Sequence, residues 1–313
     1  MTGHSTSTGS FFSARHLLIT TAVSVVYLLV SYWLIGYKQD QLNLVILFNA
    51  CYYISRVTRK FILGFSIFIV FWIIFDFMKA FPNYLYQEVH IEDLYAAEKR
   101  WFGIKNGYSL VTPNEYWSSN HTTWLDILTG FFYLSWVPVP LGFAAFLFFK
   151  NRKWFLQFSL TFLFVNLLGF IIYYVYPAAP PWYIQQYGFL FEAATPGNTA
   201  GLARFDTYFD VSIFKSLYEK SSNVFAAMPS LHSAYPLIVL YYGWKFRLKW
   251  INLFFAVVMI GIWFSAVYTS HHYVLDVLAG IICAITGIVL FNWLSVKQKS
   301  VKNAIDGYAR IIE

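Results

Sequence analysis

The chain has 313 residues, 58% of them hydrophobic and 12% charged, against roughly 45–50% apolar and about 25% charged in an ordinary soluble domain. This composition excludes a soluble globular domain and a disordered chain, and a mean hydropathy of +0.54 with 12 Trp, 24 Tyr and 33 Phe predicts many bilayer spans with aromatic rings at headgroup level. The net charge of +7 comes from short Lys/Arg clusters between apolar stretches, a topology signal that predicts no nucleic-acid partner.

In chain order, the Ser/Thr-rich first ten residues are expected to form a mobile tail. The first apolar stretch, Leu17–Ile35, is as long as a full span and no small-residue cleavage pattern follows it, so it is expected to remain as a transmembrane helix. Phe61–Met78, Leu125–Phe149, Trp154–Tyr176, Trp250–Tyr268 and Tyr273–Leu294 also suffice to cross roughly 30 Å of hydrocarbon at about 1.5 Å per residue. Leu42–Ile54 is interrupted by Asn43 and Asn49 and reads as a short span or an interfacial helix, the span being favoured. Leu231–Trp244 is short too, but only a crossing there connects its neighbours. The prediction is an all-α polytopic membrane protein with about 8 transmembrane helices: an N-terminal tail and hydrophobic helix pair (1–60), a catalytic transmembrane domain (61–296) and a basic cytoplasmic tail (297–313).

With eight spans, the clusters Arg56/Arg59/Lys60, Lys150/Arg152/Lys153, Lys245/Arg247/Lys249 and Lys297/Lys299/Lys302 share one side, which the positive-inside rule makes cytoplasmic. The long segments 79–123 and 177–229 then lie outside, and their Trp, Tyr and Pro content argues for order. Asp76 and Lys79 read as a self-satisfied interfacial pair or as groups reaching a site, and Asn120-His121-Thr122 fits the glycosylation pattern.

Two histidine motifs carry the chemistry. Met228-Pro229-Ser230-Leu231-His232-Ser233 precedes one span, and Ser265 through Asp276 straddles the end of one and the start of the last. The forty residues from His232 to His272 match two crossings, returning both to the outer face. His272 and Asp276, spaced i, i+4, share a helix side, so the carboxylate can orient one imidazole nitrogen and leave the other free to attack. His232 then serves as general acid and base. Interfacial histidines also merely cap helices, but three ionisable groups converging near a bilayer favour catalysis. His271 points about 100° from His272 on a helix and reads either as a substrate contact or as an interfacial group. Neither the two cysteines, Cys51 and Cys283, nor any carboxylate cluster builds a metal site, so no metal and no cofactor are expected.

These motifs resemble the type 2 phosphatidic acid phosphatase superfamily, whose second motif is Pro-Ser-Gly-His and whose third is Ser-Arg, five residues, His, three residues, Asp. Pro229-Ser230-Leu231-His232 and Ser265-Ala266…His272…Asp276 keep the spacings, with Leu231 for Gly, Ala266 for Arg, and no Arg-Pro for the first motif. Two phosphate-binding groups of the phosphatases are thus absent. Together with Tyr176-Pro177-Ala178-Ala179-Pro180-Pro181-Trp182-Tyr183 and Gly197 through Asp206, the motifs look like those of the fungal inositol phosphorylceramide synthases, in the same order over about Leu125 to Gly280. The resemblance implies a six-helix core and a metal-independent transfer of phosphoinositol from phosphatidylinositol to ceramide through a phosphohistidine on His272, oriented by Asp276, with His232 as acid and base. The alternative is a lipid phosphate phosphatase using water as acceptor; a lipid scramblase or transporter is the non-enzymatic rival, against which the position of the ionisable groups at helix ends speaks.

Some cation must neutralise the developing phosphoryl charge. Arg204 is the candidate, the competing reading being a loop residue paired with Asp206 or Asp210. Ser230 is expected to donate a hydrogen bond to phosphate or backbone, and Trp182 and Tyr183 to wall the headgroup site or to anchor the chain at the interface. The site is expected to be extracytoplasmic, on the periplasmic side of a bacterial inner membrane or, alternatively, in a Golgi lumen.

Overall fold

The computed structural model describes residues 13–193, 195–219 and 223–313, so the first ten residues lie outside it. The chain divides into two compact units, Met1–Ala80 with Tyr308–Glu313, and Phe81–Gly307.

The first unit holds three consecutive helices, α1 (Ala14–Ile35), α2 (Gln39–Ile54) and α3 (Arg56–Phe77). Polar residues that interrupt the apolar pattern find one another: the Thr20 and Tyr53 hydroxyls lie 2.7 Å apart and Asn49 Nδ2 donates to Ser24 Oγ at 2.9 Å. These pairings run α2 antiparallel to α1. They also satisfy the Asn49 amide in the apolar stretch of α2. Ser55 ends α2 and caps α3, its Oγ accepting the Thr58 N–H. Asp76, at the far end of α3, accepts from Lys79 at 2.7 Å with Lys38 at 3.8 Å, so the pair is satisfied locally.

The second unit begins with short elements: α4 (Glu92–Phe102), a two-stranded hairpin of β1 (Ile104–Asn106) and β2 (Ser109–Val111), and α5 (Pro113–Ser119). The hairpin turns at Gly107-Tyr108, where Gly107 has φ +61°. A capping box, Thr112 with Glu115, and Pro113 at the first position start α5. The long helices follow: α6 (Thr123–Leu134) and α7 (Pro138–Lys150), one span broken before Pro138, then α8 (Arg152–Val175). The short helices α9 (Pro181–Tyr187), α10 (Ala203–Phe209) and α11 (Ile213–Tyr218) lie in the second long loop. The chain ends with α12 (Leu231–Lys245), α13 (Ile251–Tyr268), α14 (Val274–Lys297) and α15 (Lys299–Ile312). Among the described residues six helical segments are long and apolar enough to cross a membrane; the two shorter apolar stretches of the sequence form α2, of 16 residues, and α12, of 15.

Buried polar bonds fix the directions of the core helices. Tyr235 donates to Asn166 Oδ1 at 2.6 Å and the Tyr242 hydroxyl meets Thr161 at 2.6 Å, so α12 runs antiparallel to α8. Trp263 Nε1 donates to the Ser233 carbonyl at 2.9 Å, beside Pro236, whose ring removes a helix donor, and α13 is antiparallel to α12. Lys245 bonds Asn292, and Ser230 lies against Gly280, so α12 and α14 run parallel and start at the same end. Only glycine fits at 280, because a Cβ there would lie 2.1 Å from the Ser230 carbonyl oxygen.

Gly280→Ala is therefore expected to cost about 1–3 kcal/mol and to lower the thermal midpoint in detergent. Gly142→Ala on α7, where a Cβ meets nothing within 4 Å, should leave the midpoint unchanged or raise it slightly.

Candidate active site

The parallel starts of α12 and α14 bring the two histidine motifs into contact. Ser230 caps α12, its Oγ accepting from the backbone N–H and the hydroxyl of Ser233, and its own N–H donates to the Asp276 carbonyl at 2.9 Å. Two residues on, His232 Nδ1 lies 3.1 Å from His272 Nε2. On the other side of the ring, His272 Nδ1 is 3.6 Å from Asp276 Oδ2, within ion-pair range and beyond hydrogen-bond length. That oxygen is already engaged, accepting the Tyr273 N–H at 2.8 Å and completing the cap of α14. Asp276 is fully buried, and His271 and His272 nearly so.

Burial pushes the His272 imidazole down to about 4, against the pull of the Ala227 carbonyl. His271 is also driven well below its usual value, first by burial and then by the neighbouring His272. Both rings are therefore neutral at physiological pH. A neutral His272 keeps one unprotonated nitrogen, and its Nε2 is the atom that faces His232. His271 is held elsewhere: its Nε2 is 3.0 Å from the Thr199 carbonyl and its ring lies against Tyr133 and Tyr218, with centroids 5.4 and 4.4 Å away.

Tyr133 and Trp136 join the site although neither stands out in the sequence. The buried Tyr133 hydroxyl is 3.2 Å from His232 Nδ1, and the Trp136 ring meets the His232 imidazole edge-on at 4.6 Å. Their positions on and just after α6 follow the apolar period of a span, which conceals a functional hydroxyl among packing residues.

Arg204 does not pair with Asp206, whose carboxylate accepts the N–H groups of Phe214 and Lys215. Its Nε donates instead to Asp126 Oδ1 at 2.6 Å, and Asp126 also takes the Tyr268 hydroxyl at 2.8 Å and faces His121 Nδ1 at 3.3 Å. The turn before Arg204 is bonded to the second histidine motif: the Gly201 N–H donates to the Thr269 carbonyl, and a Cβ at 201 would strike Thr269 Cα at 2.8 Å. Arg204 is thus fixed beside this motif with one buried guanidinium nitrogen, Nη2, unbonded among the described residues.

Trp182 and Tyr183 sit in a buried cluster with Ile91, Ala179 and Phe225. The Trp182 N–H donates to the Ser270 carbonyl, and the Tyr183 hydroxyl bridges the Leu190 carbonyl and the Glu192 N–H at 2.7 Å each. Ala178 and Ala179 lie between His90 and the 225–227 segment in short β-bridges. The Pro-Ala-Ala-Pro-Pro stretch thereby ties the first long loop to the first histidine motif. Asn114, on α5, donates from Nδ2 to the carbonyls of Val267 and His272 at 2.8 and 2.9 Å. The capping box around it is legible in sequence; its distant partners are not.

The PAP2 superfamily profile matches residues 110–290, and the chain belongs to that superfamily of all-α membrane proteins. Among its relatives, a phosphoinositol dihydroceramide synthase of Bacteroides thetaiotaomicron is 42% identical over 96% of this chain and 99% of its own length. The inositol phosphorylceramide synthase of Candida albicans is 29% identical over 79% of this chain and 51% of its own. The catalytic subunit of the Saccharomyces cerevisiae inositol phosphorylceramide synthase is 36% identical over 42% of this chain and 32% of its own length. No solved structure matches the chain.

Asn114→Leu keeps the side-chain volume and leaves the Val267 and His272 carbonyls unpaired, a loss of about 1–3 kcal/mol. The expected result is a thermal midpoint several degrees lower in detergent and a turnover loss larger than any change in KM.

Proposed function

We propose that this chain transfers phosphoinositol from phosphatidylinositol to the primary hydroxyl of a ceramide or dihydroceramide, releasing diacylglycerol. The observation that carries the reading is the His232–His272–Asp276 arrangement, in a chain 42% identical over 96% of its length to a phosphoinositol dihydroceramide synthase.

His272 Nε2 attacks phosphorus, the bond from phosphorus to the diacylglycerol oxygen breaks, and His232, protonated as the phosphate anion approaches, gives that oxygen its proton. Asp276 faces the opposite ring nitrogen and stabilises the positive charge on the phosphohistidine. His232 next takes the proton of the ceramide hydroxyl, whose oxygen attacks phosphorus as the bond to His272 Nε2 breaks. The low proton affinity of buried His272 supports a nucleophile that is free at neutral pH. The Tyr133 hydroxyl is a donor beside His232, and Arg204 and Ser230 are assigned to the phosphate, with Arg204 supplying the cation that phosphoryl transfer requires. Trp182 and Tyr183 hold the wall beside the second motif, and His271 orders the Thr199 turn. We assign the chemistry to the segment 61–296.

The basic clusters at 150–153 and 245–249 lie at the opposite ends of the spans from the histidines. The positive-inside rule therefore turns the site away from the cytoplasm, and the extensive identity to a bacterial relative favours the periplasmic face of an inner membrane.

The test is conversion of fluorescent ceramide with phosphatidylinositol by the purified chain in detergent, without added divalent metal. A new acidic fluorescent lipid is expected, with His232→Ala and His272→Ala each slower by about 10³-fold or more. Labelled phosphatidylinositol without ceramide should leave a base-stable, acid-labile phosphoryl group on the wild type and none on His272→Ala. Unchanged ceramide with phosphate release from phosphatidate would replace this reading by a lipid phosphate phosphatase.

A further inference from the structure

One buried carboxylate beside the site has no part in the reaction above. Glu98, on α4, is wholly inaccessible, and its two oxygens accept the N–H groups of Val274 at 2.9 Å and Leu275 at 3.1 Å. These are the first two helical N–H groups of α14, which have no acceptor within their own helix. Most helices meet this need with a Ser, Thr, Asp or Asn at the N-cap. Here the N-cap is Tyr273, and the acceptor arrives from a helix 176 residues earlier in the chain.

Three successive donors are thereby divided between two acids. Asp276 takes the Tyr273 N–H and Glu98 takes the next two. We propose that Glu98 is a positioning residue for the phosphotransfer, fixing the first turn of α14 and thereby the separation between Asp276 and His272. The proposal rests on the functional reading of those two residues given above. Without Glu98, Asp276 is the remaining acceptor at the start of α14, where the unpaired N–H groups of Val274 and Leu275 draw its side chain toward capping and away from the imidazole. Glu98 is itself held firmly, since Leu94 on the same helix packs in a buried cluster with Ala178, Ala227 and Tyr273.

Asp276 acts on Glu98 directly; Tyr273 at the start of α14 stands close to Glu98, to Glu115 on α5 and to Tyr95 on α4, and Tyr95 in turn bonds Glu115 and Lys99. Burial pushes the Glu98 carboxyl up to about 7 and the nearby Asp276 adds to this, while the two N–H bonds pull the other way. Turnover is therefore expected to rise with pH through about 7, as Glu98 ionises and grips both donors.

The experiment measures kcat and KM against pH for the full chain in detergent micelles, with phosphatidylinositol and fluorescent ceramide. In Glu98→Gln, kcat at pH 8 should fall about tenfold with both KM values within about twofold, and the inflection near 7 should vanish. Val274→Pro removes one donor at a helix position that tolerates proline, which should move the inflection to higher pH. A residue that only aids folding would lower the active fraction equally at every pH and leave the inflection in place. That result, or an unchanged kcat in Glu98→Gln, overturns the proposal; should Glu98→Gln fail to fold, an unmoved inflection in Val274→Pro does so. His272→Ala is measured alongside, and product formation by that variant would fault the reading of the site itself.

Discussion

The contact on which the site depends is the approach of two parallel helix starts, where the Ser230 N–H meets the Asp276 carbonyl and Gly280 leaves room for the Ser230 backbone. A side chain at 280 would separate α12 from α14, and with them His232 from His272. The 3.1 Å between the two imidazoles is thus a consequence of backbone packing one turn away. Side chains placed by rigid elements hold reacting geometry far more tightly than side chains on loops.

Around this junction the long loops act as clamps. Asn83 donates to the carbonyls of Tyr173 and Phe225, Asn114 to those of Val267 and His272, and Ala178 bridges the backbone of His90 and Ala226. Each bond satisfies irregular backbone that is buried beside apolar spans, where an unpaired carbonyl or amide is expensive. The buried asparagines consequently serve two ends, closing the hydrogen-bond account and fixing the loops over the helix starts. Ser270 shows the tightness of this packing: its φ of +61° is a left-handed conformation, its carbonyl takes the Trp182 N–H, and its hydroxyl accepts from Gln185.

The charges of the site are arranged economically. His271 and His272 are buried deeply enough to remain neutral, and the acids around them are held by backbone N–H groups rather than by cations. The nearby guanidinium of Arg204 is tied to Asp126, itself bonded to Tyr268, in a network separate from the His232–His272 pair.

By itself the sequence determined the class of protein, the long apolar helices and the two histidine motifs, but not the short helices of the two long loops. Runs of apolar residues must be helical in lipid, because only a helix satisfies its own backbone there. Short-range proximity was equally legible in the i, i+4 spacing of His272 and Asp276 and in the proline-stiffened exit after Tyr176, whereas Ser230, expected as a donor, accepts from Ser233 as the cap of α12. Even α2, whose asparagines made its reading ambiguous, was identified as a helix; its direction beside α1 came from the Thr20–Tyr53 and Asn49–Ser24 pairs. The tertiary structure decided which distant groups meet. Arg204 takes Asp126 rather than its sequence neighbours Asp206 and Asp210, Tyr133 turns from an apolar helix toward His232, and Glu98 reaches the start of α14. No local period encodes such partners, because a hydrogen bond depends on distance in space, and residues 78 or 176 positions apart share no repeat that a linear reading can detect.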